Sequence, residues 1–121
     1  MIKTLLVEDN EDNQISMTIL LENDGFLVLT ANNGQEGLEK AQSENPDVIL
    51  LDIQLPDISG FEVLKHLLAI ESTKDIPVIA VTSSAMAGDR QHLLSVGCKG
   101  YIEKPIDPMR FTQQLKNYLG G

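Results

Sequence analysis

The sequence predicts an α/β fold in which strand–helix units repeat and the strands run parallel. Short apolar runs alternate with helix-period segments about five times along the 121 residues, the pattern of successive βα units. Two of the runs, Val48–Leu51 and Val78–Val81, are apolar at every position. Strands buried on both faces read this way, which places these two at the centre of a parallel sheet. Four runs also end in residues suited to phosphate and a metal. Leu5-Leu6-Val7 leads into Glu8-Asp9, Val48–Leu51 into Asp52, Val78–Val81 into Thr82, and Tyr101-Ile102-Glu103 into Lys104. An open parallel sheet gathers its chemistry beyond the carboxyl ends of its strands, so these distant residues are expected in one crevice.

The elements follow in order. Ile2–Val7 reads as the first strand. A helix from about Asp12 to Glu22 repeats Met17, Leu20 and Leu21 at helical spacing, and Asn23-Asp24-Gly25 stops it. Phe26–Leu29 supplies the second strand. Asn32-Asn33-Gly34 turns into a second helix carrying Leu38 and Ala41, which ends before Asn45-Pro46. Val48–Leu51 is the third strand, and a third helix over Gly60–Ile70 buries Phe61, Leu64, Leu67 and Leu68. Pro77 opens the fourth strand. The fourth helix spans Ala85–Val96, interrupted by Gly88 and closed by Gly97. After the strand at Tyr101–Glu103, Asp107-Pro108 places a capping residue before a proline at the first helical position. Phe111, Leu115 and Leu119 line that last helix.

Length and composition bound the function. The chain reads as a single domain over 1–121, long enough for one core, with 42% hydrophobic residues and no linker or repeat beyond the βα alternation. No apolar stretch is long enough to span a membrane, and Met1-Ile2-Lys3-Thr4 enters the first strand without the features of a signal peptide. A cytoplasmic location is expected. Cys98 is the one cysteine, so no internal disulfide forms; it reads as a small buried hydrophobe. A net charge of −9 disfavours nucleic acid and anionic membranes, leaving a protein partner or a cation.

Glu8-Asp9-Asn10-Glu11-Asp12 in isolation is an acidic loop. With Asp52 arriving beside it, three carboxylates share a crevice. Two unit charges about 4 Å apart repel by roughly 4 kcal/mol at an effective dielectric near 20, so such a set wants a cation. Oxygen ligands with room for water favour Mg²⁺. Pro56 and Ser59-Gly60 supply the next turn and helix start, which frees Asp52 to face the crevice, where a carboxylate oxygen can attack phosphorus. Thr82 offers a hydroxyl donor and Lys104 a point charge for phosphate oxygens. Proline at 105 forces a turn, and a cis bond before it would aim Lys104 inward. His66 and His92 read as solvated helix residues, and Met86 and Met109 as fillers of core or partner-surface gaps. There is no Walker loop.

Glu8-Asp9, Asp52 with Ile53-Gln54-Leu55-Pro56 and Gly60, Thr82-Ser83 and Lys104-Pro105 together resemble the receiver domain of bacterial two-component response regulators. The resemblance covers essentially the whole chain in order and spacing. It implies a doubly wound, flavodoxin-like (βα)5 architecture with strand order 2-1-3-4-5. By position, Asp52 matches the phosphate acceptor. Asp9 and Asp52 match direct Mg²⁺ ligands, with Glu8 acting through water and the Gln54 carbonyl completing the set. Thr82 matches the switch hydroxyl, Tyr101 its aromatic partner, Lys104 the phosphate-binding lysine, and Pro105 the residue after a cis bond. The resemblance further implies a histidine kinase or histidine phosphotransfer protein as donor and a downstream protein as target. The chain then acts as a stand-alone signalling receiver that catalyses only its own phosphorylation and dephosphorylation. A metabolite phosphatase fits less well, because Gln54 stands where such enzymes place a second aspartate and there is no length for a cap. A phosphate-independent module of this fold would not need the acidic pair, acceptor and lysine that this chain keeps.

Overall fold

The computed structural model describes residues 1–83 and 87–120, and of residues 87–90 the backbone alone. The elements are β1 (Lys3–Val7), α1 (Glu11–Asn23), β2 (Leu27–Ala31), α2 (Gly34–Glu44), β3 (Val48–Asp52), α3 (Gly60–Ala69), β4 (Val78–Thr82), α4 (Ala87–Val96), β5 (Gly100–Glu103) and α5 (Phe111–Tyr118). The five strands form one sheet in the order β2-β1-β3-β4-β5, every pair parallel. This is the doubly wound order expected of the family resemblance. The central strands β3 and β4 are buried at every residue, as their unbroken apolar runs require.

Because successive side chains of a strand point to opposite faces, each strand feeds two cores. Leu5, Val7, Ile49, Leu51, Val78 and Ala80 pack with Leu38 and Ala41 of α2, Val63, Leu64 and Leu67 of α3, and Leu93 of α4. Leu6, Val48, Leu50, Ile79, Val81 and Ile102 pack with Met17 and Leu21 of α1 and Phe111 and Leu115 of α5. Burying each Val, Leu, Ile, Met or Phe side chain among them is worth about 1.5–3 kcal/mol. Cys98 is buried, with Sγ 2.9 Å from the Gly100 carbonyl oxygen, and burial pushes its thiol up. Among the described residues, no helix is long and apolar enough to cross a membrane.

Most boundaries shift by a residue or two from the sequence reading, and three of the shifts have a clear local cause. The second strand starts at Leu27 rather than Phe26, because the Phe26 N–H donates to the Leu21 carbonyl and completes the turn that ends α1. It then runs on to Ala31. Helix α3 stops at Ala69, since Ile70 has extended ψ of 128°. Asp107 does open a turn, its Oδ1 accepting from the Met109 N–H at 2.9 Å. Arg110 departs from helical geometry at φ −121°, however, so α5 begins at Phe111. Ser84, Ala85 and Met86 lie outside the described residues, as does Gly121.

Thr4 is fully buried in β1, and its Oγ1 has no hydrogen-bond partner among the described residues. A buried hydroxyl without a partner costs about 1–3 kcal/mol. Thr4→Val should therefore raise the unfolding free energy by about 1 kcal/mol in urea denaturation, and a destabilised variant would contradict this account.

Candidate functional site

Parallel register carries the polar residues to one end of the sheet. Val7 is level with Leu51 of β3, so Glu8 leaves β1 beside Asp52. Asp52 pairs with Val81 and Thr82 with Glu103, which puts Thr82 and Lys104 at the next two strand ends. The period-two alternation then sorts them. Glu8, Asp52 and Lys104 continue the series that faces α1 and α5. Thr82 and Tyr101 continue the series that faces the α2–α3–α4 core, against which the Tyr101 side chain packs. Thr82 is buried.

Lys104 joins the acidic residues. Its Nζ lies 2.7 Å from Glu8 Oε1 and 3.2 Å from Asp52 Oδ2. The peptide bond between Lys104 and Pro105 is cis. Glu8 is only 1% exposed and Asp52 5%. The second oxygen of each carboxylate is held by the chain that follows: Glu8 Oε2 by the Asn10 N–H at 3.3 Å, Asp52 Oδ1 by the Gln54 N–H at 3.0 Å. Gln54 itself is exposed at the crevice rim. Ligand oxygens of Glu8, Asp9 and Asp52 lie within 4.8 Å of one another, with Asp9 open to solvent. One ammonium offsets one of these charges, and the remainder makes the cluster able to hold a cation.

Titration follows from the packing. Burial, and then the close Asp52 carboxylate, push the Glu8 carboxyl above its ordinary 4.5 despite the pull of Lys104. Burial would lower the Lys104 ammonium, but its contacts with Glu8 and Asp52 together hold it above the ordinary 10.5.

Two further residues bind the surrounding loops together. Gln14 Nε2 on α1 reaches the Glu8 carbonyl at 2.5 Å and Asn32 Oδ1 at 2.7 Å. The Asp57 carboxylate accepts from the Gly34 and Gln35 N–H groups at 2.8 and 2.9 Å. No sequence signal marks Gln14. Nor does any mark Asp57, whose carboxylate the turn at Asn32-Asn33-Gly34 receives at the start of α2. Asn33 also caps α2, its side chain accepting from the Glu36 N–H at 2.8 Å. His66 and His92 are exposed helix residues, His92 lying 4.8 Å from the Phe61 ring. Met109 is 91% exposed and fills no gap in the core. Beside the site a cavity of about 460 Å³ opens between α1 and the β5–α5 connection, lined by Met17, Leu20, Ser83, Lys104 and Ile106 among others.

A family model described as the response regulator receiver domain matches residues 4–116. The polar-differentiation response regulator DivK of Brucella anthropi is 46% identical over 116 residues, spanning 96% of this chain and 94% of the relative. The chemotaxis response regulator CheY4 of Vibrio cholerae has TM-score 0.92 at 30% identity, with 98% of each chain covered. The receiver domain of a Pseudomonas aeruginosa sensor histidine kinase, solved with magnesium coordinated in its active-site cleft, has TM-score 0.89 at 31% identity, covering 99% of this chain and 98% of that one.

The raised Glu8 carboxyl has a measurable consequence. The folded protein holds this proton more tightly than the unfolded chain, so its contribution to stability is full at low pH and declines as pH rises through the window that starts near 4.5. Measured without divalent cations, the unfolding free energy of the wild type relative to Glu8→Gln should fall across that window. A difference that grows with pH would contradict the assignment.

Proposed function

The chain belongs to the response regulator receiver domain family, and from that premise we propose that it accepts a phosphoryl group from a histidine phosphodonor onto Asp52. The observation that carries this reading is the Lys104 ammonium held between Glu8 and Asp52 beside an exposed Asp9. In the transfer, an Asp52 carboxylate oxygen bonds to phosphorus as the phosphorus–nitrogen bond to the donor imidazole breaks. The electron pair leaves on that nitrogen, which neutral histidine can carry. Such a reaction asks the protein mainly for alignment and charge neutralisation. The Gln54 N–H fixes the carboxylate, and Lys104 is placed to follow the incoming phosphoryl oxygens.

The donor set fits Mg²⁺: hard carboxylate oxygens, one of them solvent-facing, with the Gln54 carbonyl on the adjoining loop. Asp9 and Asp52 would hold it directly and Glu8 through water. Bound there, Mg²⁺ would supply positive charge to the phosphoryl oxygens and relieve the carboxylate repulsion. Thr82 then bonds the phosphoryl group, and Tyr101 moves into the space this leaves, biasing the surface of α4, β5 and α5 between two states. The exposed Ile15 and Ile19 of α1, which line a separate shallow cavity with Thr18 and Thr30, suit the docking of a histidine kinase or histidine phosphotransfer protein. The output is a changed contact with a downstream protein in the cytoplasm, with no catalysis beyond the protein's own phosphorylation and dephosphorylation. The acidic surface leaves nucleic acid and membrane out of this reading.

Incubation with acetyl phosphate and Mg²⁺ should add one phosphoryl mass to the intact protein, and Asp52→Asn should abolish it. No added mass, or added mass that survives Asp52→Asn, overturns the proposal. Metal linkage gives a second check. Millimolar MgCl₂ should raise the unfolding midpoint of the wild type and leave that of Asp9→Asn unchanged. Without metal, Asp9→Asn should itself be more stable by about 1 kcal/mol, since one like charge is gone.

A further inference from the structure

From Asp52 to the first residue of α3 the chain makes an eight-residue excursion, Ile53–Gly60, that carries Gln54 past the crevice. Its two ends are tied. The Gly60 N–H donates to the Ile53 carbonyl at 2.8 Å, and a Cβ on Gly60 would lie 2.5 Å from Ile53 Cα and 2.8 Å from the Asp52 carbonyl oxygen. The loop therefore closes directly onto the acceptor's backbone, an approach open only to glycine at this position.

Closure alone leaves the loop's outer arc unsupported, and α2 supports it. The Asp57 carboxylate takes both the Gly34 and Gln35 N–H groups, two of the otherwise unpaired donors at the start of α2. Those bonds hold its carboxyl below the usual carboxylate range. Ile58, the next residue, packs so closely on Gly34 that a Cβ there would collide with it and come within 2.9 Å of Val63. Polar and apolar contacts from adjacent residues thus clamp the arc to one point on a neighbouring helix. Inside the arc, the Gln54 N–H holds Asp52 Oδ1, and the Gln54 carbonyl belongs to the same two peptide units.

We infer that Asp57 is a positioning residue for the phosphoacceptor: by fastening the Ile53–Gly60 loop to the amino end of α2, it fixes the Gln54 backbone against Asp52. The consequence for phosphorylation rests on the function proposed above; the clamp itself does not. Helix capping by itself would leave the crevice untouched, and Asn33 provides the comparison. It caps the same helix end through the Glu36 N–H without touching the loop.

The test sets Asp57→Ala against Asn33→Ala in the full chain, with two readouts. Amide hydrogen exchange at Gln54, followed by NMR without any phosphodonor, should accelerate roughly tenfold or more in Asp57→Ala and stay near wild type in Asn33→Ala. The rate of phosphorylation by acetyl phosphate should drop by about the same factor in Asp57→Ala alone, with the loss in the maximal rate rather than in half-saturation by acetyl phosphate. Unchanged Gln54 exchange in Asp57→Ala, or equal acceleration in both variants, overturns the inference. If the wild type takes no phosphoryl group, the proposed function fails, and the exchange result still decides the clamp. Should Asp57→Ala not fold, Asp57→Asn is compared with Asn33→Ala by the same criterion.

Discussion

Two carboxylates taken almost wholly out of water cannot sit side by side without a cation, and the architecture of this molecule is organised around that constraint. Glu8 and Asp52 end adjacent strands and are nearly buried, so each intensifies the desolvation penalty of the other. The compensating charge comes from Lys104, 96 residues from Glu8 along the chain. Only the assembled sheet brings these groups together, and an unfolded chain gains nothing from having them. The site is therefore held by the topology; one ammonium against two carboxylates leaves it short of neutrality, and Asp9 deepens the deficit on its open side. That residual negative charge leaves the crevice able to hold a cation.

The same sheet separates two tasks by the alternation of its strands. The ionic cluster lies on the face of α1 and α5, next to the cavity that Lys104 helps to line. Thr82 and Tyr101 belong to the opposite face, with the core of α2, α3 and α4. The two sets of residues meet at the strand ends of β4 and β5, where Thr82 is level with Glu103, the residue before Lys104.

Much of this was legible in the chain because the relevant signals are local and periodic. The uninterrupted Val48–Leu51 and Val78–Val81 announced central strands, and their terminal Asp52 and Thr82 announced the crevice. Asn10, Asn33 and Ser59 cap α1, α2 and α3 through their own side chains, as short polar residues before a helix do. What escaped the sequence reading depends on neighbours distant in the chain. Phe26 looks like a strand residue but is claimed by the turn after α1. Asp57 looks like a solvated turn acid, and only the arrival of α2, more than twenty positions away, makes it an acceptor of two main-chain donors. Gln14 is an ordinary helix glutamine until Asn32 and the Glu8 carbonyl meet it. Asp107-Pro108 signalled the right event, but Arg110 adopts a conformation that no propensity encodes, so the regular helix starts late.

The placement of the aromatic residues has an optical consequence. The chain has no tryptophan and two tyrosines. Both sit in one corner: the Tyr118 hydroxyl donates to the Tyr101 carbonyl at 3.0 Å, and the Tyr118 ring lies against Gly100. Nearly all intrinsic fluorescence of the native protein therefore originates where β5 meets α5. The unlabelled molecule carries a built-in emitter confined to that junction, dark elsewhere, and its quantum yield tracks the environment of one strand–helix seam rather than an average over the whole chain.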